Sequence, residues 1–485
     1  MNRSVLWHVL CKNGIKGRML RALKAMYRSV RTCVRVNGKL SDSFACPSGL
    51  KQGENSSTIL FSFFINELGK EIIRQGIHGV QMQPNEQELF LLLFADDLVL
   101  ISGTPKGLQN QLNILERESN KLNLVVNIDK TNIVVFRRGG RTRKCENWTF
   151  NGSSIRITNK YKYLGYVFTS KLSMNVALKE AAIKAKSKIV SILRVMSRIG
   201  CANVTIFTKL YEAQVQSGLC YASEIWGLEK ADVIERIQLF AFKRCLRVNL
   251  RTPNIAIYGD TGRTPLYITT CVRAVKYWLR LLLMDEDRLP KKAYAMSLGM
   301  ADNNVSCWAL RIRSILCTYG FGEIWYNQGV GDKTQFLKLF RRRLDDCYKQ
   351  NWASYVTNSN RLHKFALFKN QHYAETYIDD IPVPARTEYI RFRMGVSDIN
   401  CHSKRYSSNV NDSMLCPLCG QIENEEHFLF ECTRYDSFRP TFLKCERSMY
   451  NIKFLHVMKY TKRKCCALAW YIFKALKLRR ELTAS

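Results

Sequence analysis

Apolar residues are spaced for strands and short helices in the first third of the chain and for long helices after it. Residues 5–30 have helical spacing, with Lys16, Arg18, Arg21 and Lys24 on one face, and predict one helix. Val34 and Val36 then alternate with polar neighbours and run into Asn37-Gly38, a pair favoured in two-residue hairpin turns. A glycine-containing turn in 49–75 leads into an apolar helix from Ile59 to Ile73. Two apolar strands over 89–102 meet at Asp96-Asp97, and 106–122 has the period of an amphipathic helix. A strand from Ile133 to Phe136 and a basic turn, Arg137 to Arg141, follow. A second Asn-Gly hairpin, Trp148 to Ser153, precedes the apolar stretch Tyr161 to Phe168.

After residue 170 helices dominate. Residues 174–199 place Ile189, Ile192, Leu193 and Met196 at core spacing, and Gly200 is a natural stop. Lys184, Lys188, Arg194 and Arg198 fall on an exposed part of that helix, and 204–250 and 267–294 are also helical in pattern. The pattern predicts an α+β protein, strands first and helices after. A chain of 485 residues divides into roughly two to four domains.

Composition adds a partner class. Hydrophobic residues make up 46%, enough for real cores and too many for a disordered chain. Lys and Arg number 75 against 40 Asp and Glu, a net charge of +35. A field of that sign attracts polyanions. The basic residues are spread along the chain rather than gathered beside an apolar segment, which favours nucleic acid over a membrane surface. No apolar run is long enough to span a bilayer, and the first residues lack a signal-peptide core. The 18 cysteines are mostly scattered singly, which fits a reducing compartment, nucleus or cytoplasm, better than a secreted disulfide scaffold.

Two constellations carry chemistry. In Phe94-Ala95-Asp96-Asp97-Leu98-Val99-Leu100, apolar arms present two adjacent carboxylates at a turn. Hard divalent ions take carboxylate oxygens, and a pair of such ions can serve both the attacking and the leaving oxygen of a phosphoryl transfer. An ordinary acidic turn has the same local pattern. Near the end stand Cys416, Cys419, His427 and Cys432, spaced C-x2-C-x7-H-x4-C. Four such ligands close a tetrahedral structural zinc site and leave no open position for catalysis.

The order of further motifs is informative. Gly49-Leu50-Lys51-Gln52-Gly53 opens a helix upstream of the aspartates. Downstream come Asn127 and Lys130, then Tyr163-Leu164-Gly165. This series resembles the sequence blocks of the reverse transcriptase palm, most closely in non-LTR retrotransposon proteins. The likeness continues through Tyr221 to Gly227, Tyr258 to Arg263 and the Cys/His cluster, and is looser over 300–390.

The resemblance implies an RNA-directed DNA polymerase with a partial right-hand palm (1–170), a helical thumb (171–260), a helical connection (261–395), a zinc knuckle (396–440) and a basic helical tail (441–485). It implies that Asp96 and Asp97 hold Mg2+, with Phe94 and Ala95 beside them. Gln52 and Gly53 would shape the nucleotide and template pocket. Lys130 would act on pyrophosphate or neutralise phosphate, and Tyr163, Leu164 and Gly165 would position the primer. Zn2+ would sit on the Cys/His cluster. The implied partners are RNA template, DNA primer or target and deoxynucleoside triphosphates, with the oligomeric state open.

The family's third metal carboxylate lies in a block normally followed by Asn-Arg and Leu-Trp. Here Asn2-Arg3 and Leu6-Trp7 stand first, so the chain is expected to begin after that block and to be inactive alone. Where the family has Leu-Ser-Pro this chain has Ser56-Ser57-Thr58, with Ser57 expected to cap the helix. The alternative reading is a dead remnant that binds RNA or DNA through basic helices and the zinc knuckle. A maturase reading fits the carboxyl-terminal part less well.

Overall fold

Helix α3, Asn55–Arg74, is the spine of the first part of the chain. Leu60, Phe64, Leu68 and Ile72 recur every fourth residue along it and are buried. Its first half packs with Leu6, Leu10 and Tyr27. Its second half packs with Phe90, Leu112, Leu115, Ile133, Trp148, Phe150 and Ile155.

The computed structural model describes residues 1–51, 53–75, 79–82, 88–137, 146–403, 414–444, 458 and 462–484. The chain divides into two compact units, Met1–Ser173 and Met174–Ser485. Gln52 and most of the basic turn at 137–141 lie outside the described residues.

In the first unit, two helices replace the single one expected over 5–30: α1, Arg3–Lys12, and α2, Gly17–Met26. The break falls at Asn13-Gly14, where Gly14 takes φ +87° and Ile15 N–H turns back to the Leu10 carbonyl. A left-handed glycine ends a helix more effectively than the flanking apolar period continues it. The strands Leu91–Phe94 (β1) and Asp97–Leu100 (β2) form an antiparallel hairpin with Phe94 opposite Asp97. Helix α4, Pro105–Lys121, starts at Thr104, whose hydroxyl accepts from Gly107 N–H, with Pro105 in the first turn. Buried Gln111 ties α4 to the hairpin by donating to the Ile101 carbonyl at 2.9 Å.

Both Asn-Gly hairpins form. Asn37 and Gly38 at φ +50° and +82°, and Asn151 and Gly152 at +47° and +73°, have the double positive φ of a type I′ turn. The expected strand Ile133 to Phe136 is shorter, Asn132–Ile133, and pairs in parallel with Arg156–Ile157. The strands Lys160–Tyr163 (β3) and Tyr166–Thr169 (β4) close the last hairpin of this unit. Among the described residues every sheet is two-stranded.

The second unit is helical. Helix α5, Asn175–Arg198, buries Leu178, Ala182, Ala185, Ile189, Ile192 and Met196 on one stripe and ends before Gly200, at φ +67°. The segment 204–250 is helical, as its pattern predicts, in several pieces. Val204–Leu210 runs into a wider π-turn, Tyr211–Gln216, and a separate helix, Asp232–Cys245, follows. The core around Leu266–Leu282 gathers Trp278, Trp325, Phe336 and Phe340, with Trp278 stacked on Trp325 at 5.9 Å. The last helix, Lys462–Ala484, packs along Val383–Arg393. No helix among the described residues is long and apolar enough to cross a membrane.

Candidate functional site

At the tip of β1–β2 the two-residue turn is Ala95-Asp96, and Asp97 is the first residue of β2. Ala95 is held at φ +52°, a conformation that strains a non-glycine residue by roughly 1–2 kcal/mol. Asp96 and Asp97 are exposed, and Phe94 is 61% exposed beside them. The arms are anchored beneath: Leu91 lies within 3.5 Å of where a Cβ on Gly69 of α3 would stand, so α3 and the hairpin approach closely. The tip therefore presents two carboxylates on a braced hairpin. Among the described residues no further His, Cys, Asp or Glu joins them in a cluster suited to a metal ion. The donor set fits a hard divalent cation such as Mg2+ but supplies only part of its coordination.

The Tyr-Leu-Gly motif comes to the same place. Leu164 and Gly165 at φ +46° and +84° make a tight turn between Tyr163 and Tyr166. Burial and the nearby Asp97 charge both raise the pKa of the Tyr163 phenol, so Tyr163 lies within electrostatic reach of Asp97.

Lys130 is exposed at a turn that Asn127 builds. The Asn127 side-chain carbonyl accepts from Lys130 N–H at 3.1 Å, and its main-chain carbonyl accepts from the Thr131 hydroxyl at 2.8 Å. Asn127 thus works on the backbone here, while Lys130 keeps its ammonium in solvent.

The Gly49–Gly53 loop is held by residues that motif reading used only as markers. Arg3 donates to the carbonyls of Gly49 (3.0 Å), Tyr27 (3.1 Å) and Ser48 (3.3 Å). Arg3 and Lys51 each lie over the Tyr27 ring, at 5.2 and 5.4 Å. Gly53 takes φ +84° with nothing near its missing Cβ, so conformation rather than space requires glycine. Ser57 does not cap α3. Glu54 occupies that position, and Ser57, one turn inside, donates instead to the Lys51 carbonyl at 2.7 Å. A hydroxyl within the first turn can satisfy the loop's carbonyl more directly than an amide of its own helix.

In the second unit, the ligand atoms of Cys416, Cys419, His427 and Cys432 lie within 4.8 Å of one another, with Cys419 Sγ 3.2 Å from His427 Nε2. Gly420, at φ +75°, closes the Cys-x-x-Cys turn by donating to the Cys416 carbonyl. His427 Nδ1 is buried without a hydrogen-bond partner among the described residues, and the Glu431 carboxylate lies 3.6 Å from it. Burial pushes the Cys432 thiol up to about 12, so only a nearby cation would keep it a thiolate at neutral pH. The soft, closed donor set fits Zn2+.

Sequence reasoning missed what carries this loop. Glu423 accepts from Asn400 N–H at 2.6 Å and pairs with Arg479 of the last helix. Tyr471 of that helix donates to the Phe428 carbonyl at 2.5 Å. The acidic run before His427 was the available signal, since three carboxylates there need partners in so basic a chain.

Residues 8–168 match the family model described as reverse transcriptase (RNA-dependent DNA polymerase). This segment is a reverse transcriptase domain. The chain is 20% identical over 254 residues to the RNA-directed DNA polymerase from mobile element jockey of Drosophila funebris, covering 50% of this chain and 27% of that protein. It is 21% identical over 222 residues to the same-named protein of Drosophila melanogaster, covering 44% and 23%. Residues 8–168 thus carry the reverse transcriptase match, and the chain spans about a quarter of the length of these curated relatives. The domain contains the Asp-Asp hairpin, the Gly49–Gly53 loop and the Tyr-Leu-Gly turn, and the Cys/His cluster lies outside it.

Proposed function

We propose that this chain acts in RNA-directed DNA synthesis by a non-LTR retrotransposon, through two-metal nucleotidyl transfer at the Asp96-Asp97 hairpin. The observation that carries the reading is the pair of exposed carboxylates at the tip of the braced β1–β2 hairpin, with Tyr163 of the neighbouring β3–β4 hairpin within electrostatic reach of Asp97. Asp96 and Asp97 would hold Mg2+, which when bound would supply activation of the primer hydroxyl and charge stabilisation for the leaving pyrophosphate. Tyr163, Leu164 and Gly165 would seat the primer end, and Phe94 and Ala95 would border it. Gln52 and Gly53 would shape the template and nucleotide pocket, and Lys130 would meet pyrophosphate.

The division of the chain at Ser173 supports a partial palm over 1–170. Thumb (171–260), connection (261–395), zinc knuckle (396–440) and tail (441–485) are assigned by the resemblance. The exposed Lys184, Arg194 and Arg198 of α5 support phosphate contact by the thumb. The expected compartment is nucleus and cytoplasm.

One observation favours a second reading, a remnant that binds nucleic acid without copying it: no third metal-clustering side chain accompanies the aspartates among the described residues. Primer extension on an RNA template with Mg2+ separates the two. Incorporation that disappears in Asp96→Asn and Asp97→Asn establishes the polymerase. Salt-sensitive binding without incorporation establishes the binder, and absence of both rejects each.

A further inference from the structure

The second unit contains a cavity of about 510 Å3 that none of the proposed polymerase roles uses. Its size lies within the usual range of small-ligand sites, roughly 300–1,000 Å3. Tyr373 contributes an exposed aromatic wall, backed by the buried rings of Phe368, Tyr377 and Tyr389, and the amides of Asn370 and Gln371 contribute polar ones.

The charges around this cavity are already matched. Arg393, wholly buried, lies 3.4 Å from Asp260 and 3.5 Å from Glu375. Lys369 lies 2.9 Å from Glu375, and Lys462 pairs with Asp380. A charged guest would have to displace one of these pairs, so the cavity suits an uncharged one. The Asn370 and Gln371 side chains are exposed and make no hydrogen bond to other described residues, leaving donors and acceptors free. Tyr373 is 50% exposed, and Lys369 Nζ sits 3.2 Å from its ring centroid, which holds the ring in place from one side.

A flat, uncharged guest with a hydrogen-bonding edge fits these walls. The chain's net charge of +35 concentrates polyanions around it, and the flat uncharged part of a nucleic acid is its base. We propose that the cavity receives an unstacked base of single-stranded nucleic acid, stacked on Tyr373 and read at its edge by Asn370 and Gln371. This rests on the reading of the chain as a nucleic-acid binder.

The test is a fluorescence-anisotropy titration of the full chain with a labelled 12-nucleotide single strand over a range of salt concentrations. Stacking of one base is worth about 1–3 kcal/mol, so Tyr373→Ala should weaken binding by about 5- to 150-fold. The slope of log affinity against log salt should stay unchanged, because the lost contact is to a base and not to a phosphate. Tyr373→Trp should restore affinity, and the double variant Asn370→Ala, Gln371→Ala should flatten any preference among homopolymer strands. Equal binding by wild type and Tyr373→Ala overturns the site while leaving the nucleic-acid reading intact. Failure of the wild type to bind any strand overturns both.

Discussion

Arg393 and Asp260 form an ion pair sealed inside the second unit, with Arg393 Nε 3.4 Å from Asp260 Oδ2 and both side chains almost wholly buried. Tyr377 donates to the same carboxylate, and the guanidinium lies 4.4 Å from the centre of the Phe368 ring. The Tyr258 to Arg263 motif, singled out by resemblance, is therefore the hub of this unit. Gly259 faces Trp352, where a Cβ would come within 2.4 Å of the indole, and Gly262 faces the Ala374 backbone. Arg263 reaches Gln216 at 2.8 Å and Gln238 at 3.1 Å.

Breaking this pair should be severe. Removing one partner of a buried pair leaves the other charge uncompensated, at about 3–5 kcal/mol. Arg393→Ala or Asp260→Ala should lower the urea midpoint of the second unit, followed by tryptophan fluorescence. The double variant should lose less than the two single losses added together. Additive losses would show that the two side chains do not depend on one another.

Zinc and the last helix should be coupled. Metal analysis should find one zinc per chain, abolished in a Cys416→Ser, Cys432→Ser double variant. Arg479→Met removes the cation that holds Glu423 and should weaken zinc binding roughly tenfold, at the lower end of effects from outer-shell partners. Unchanged affinity in a chelator competition would mean that the loop orders itself without the helix.

Acid should loosen the first unit through Glu67. Burial alone would raise this carboxyl, but hydrogen bonds from Lys12, Lys70 and Asn13 outweigh it and hold the pKa at about 2, against 4.5 ordinarily. A depressed carboxylate contributes stability above its unfolded pKa and loses it as pH falls through the folded value. Glu67→Gln should therefore cost about 1–2 kcal/mol at pH 7, a figure discounted because both lysines reach Glu67 from solvent. The gap to wild type should shrink as pH falls from about 4.5 towards 2. A gap that stays constant across that window would assign the loss to packing rather than charge.

The hairpins at Asn37-Gly38 and Asn151-Gly152 and the helix stop at Gly200 were legible because positive φ is a local property that a few residues encode. The Cys/His ligand set was legible for the same reason, since its spacing lies within a short segment. The helix break at Asn13-Gly14 was present in the sequence but masked by an apolar period that continues across it.

By itself the sequence determined the element types, the turns, the excess of positive charge and the two donor sets, each written within a few neighbouring residues. Only the tertiary structure brought Tyr163 to Asp97, Arg3 to Gly49, Arg393 to Asp260 and Arg479 to Glu423. Such pairs join residues far apart in the chain, and neither partner's local sequence carries a signal for the other. Packing of the cores chose them, because a buried charge or carbonyl must be satisfied by whatever group the fold delivers.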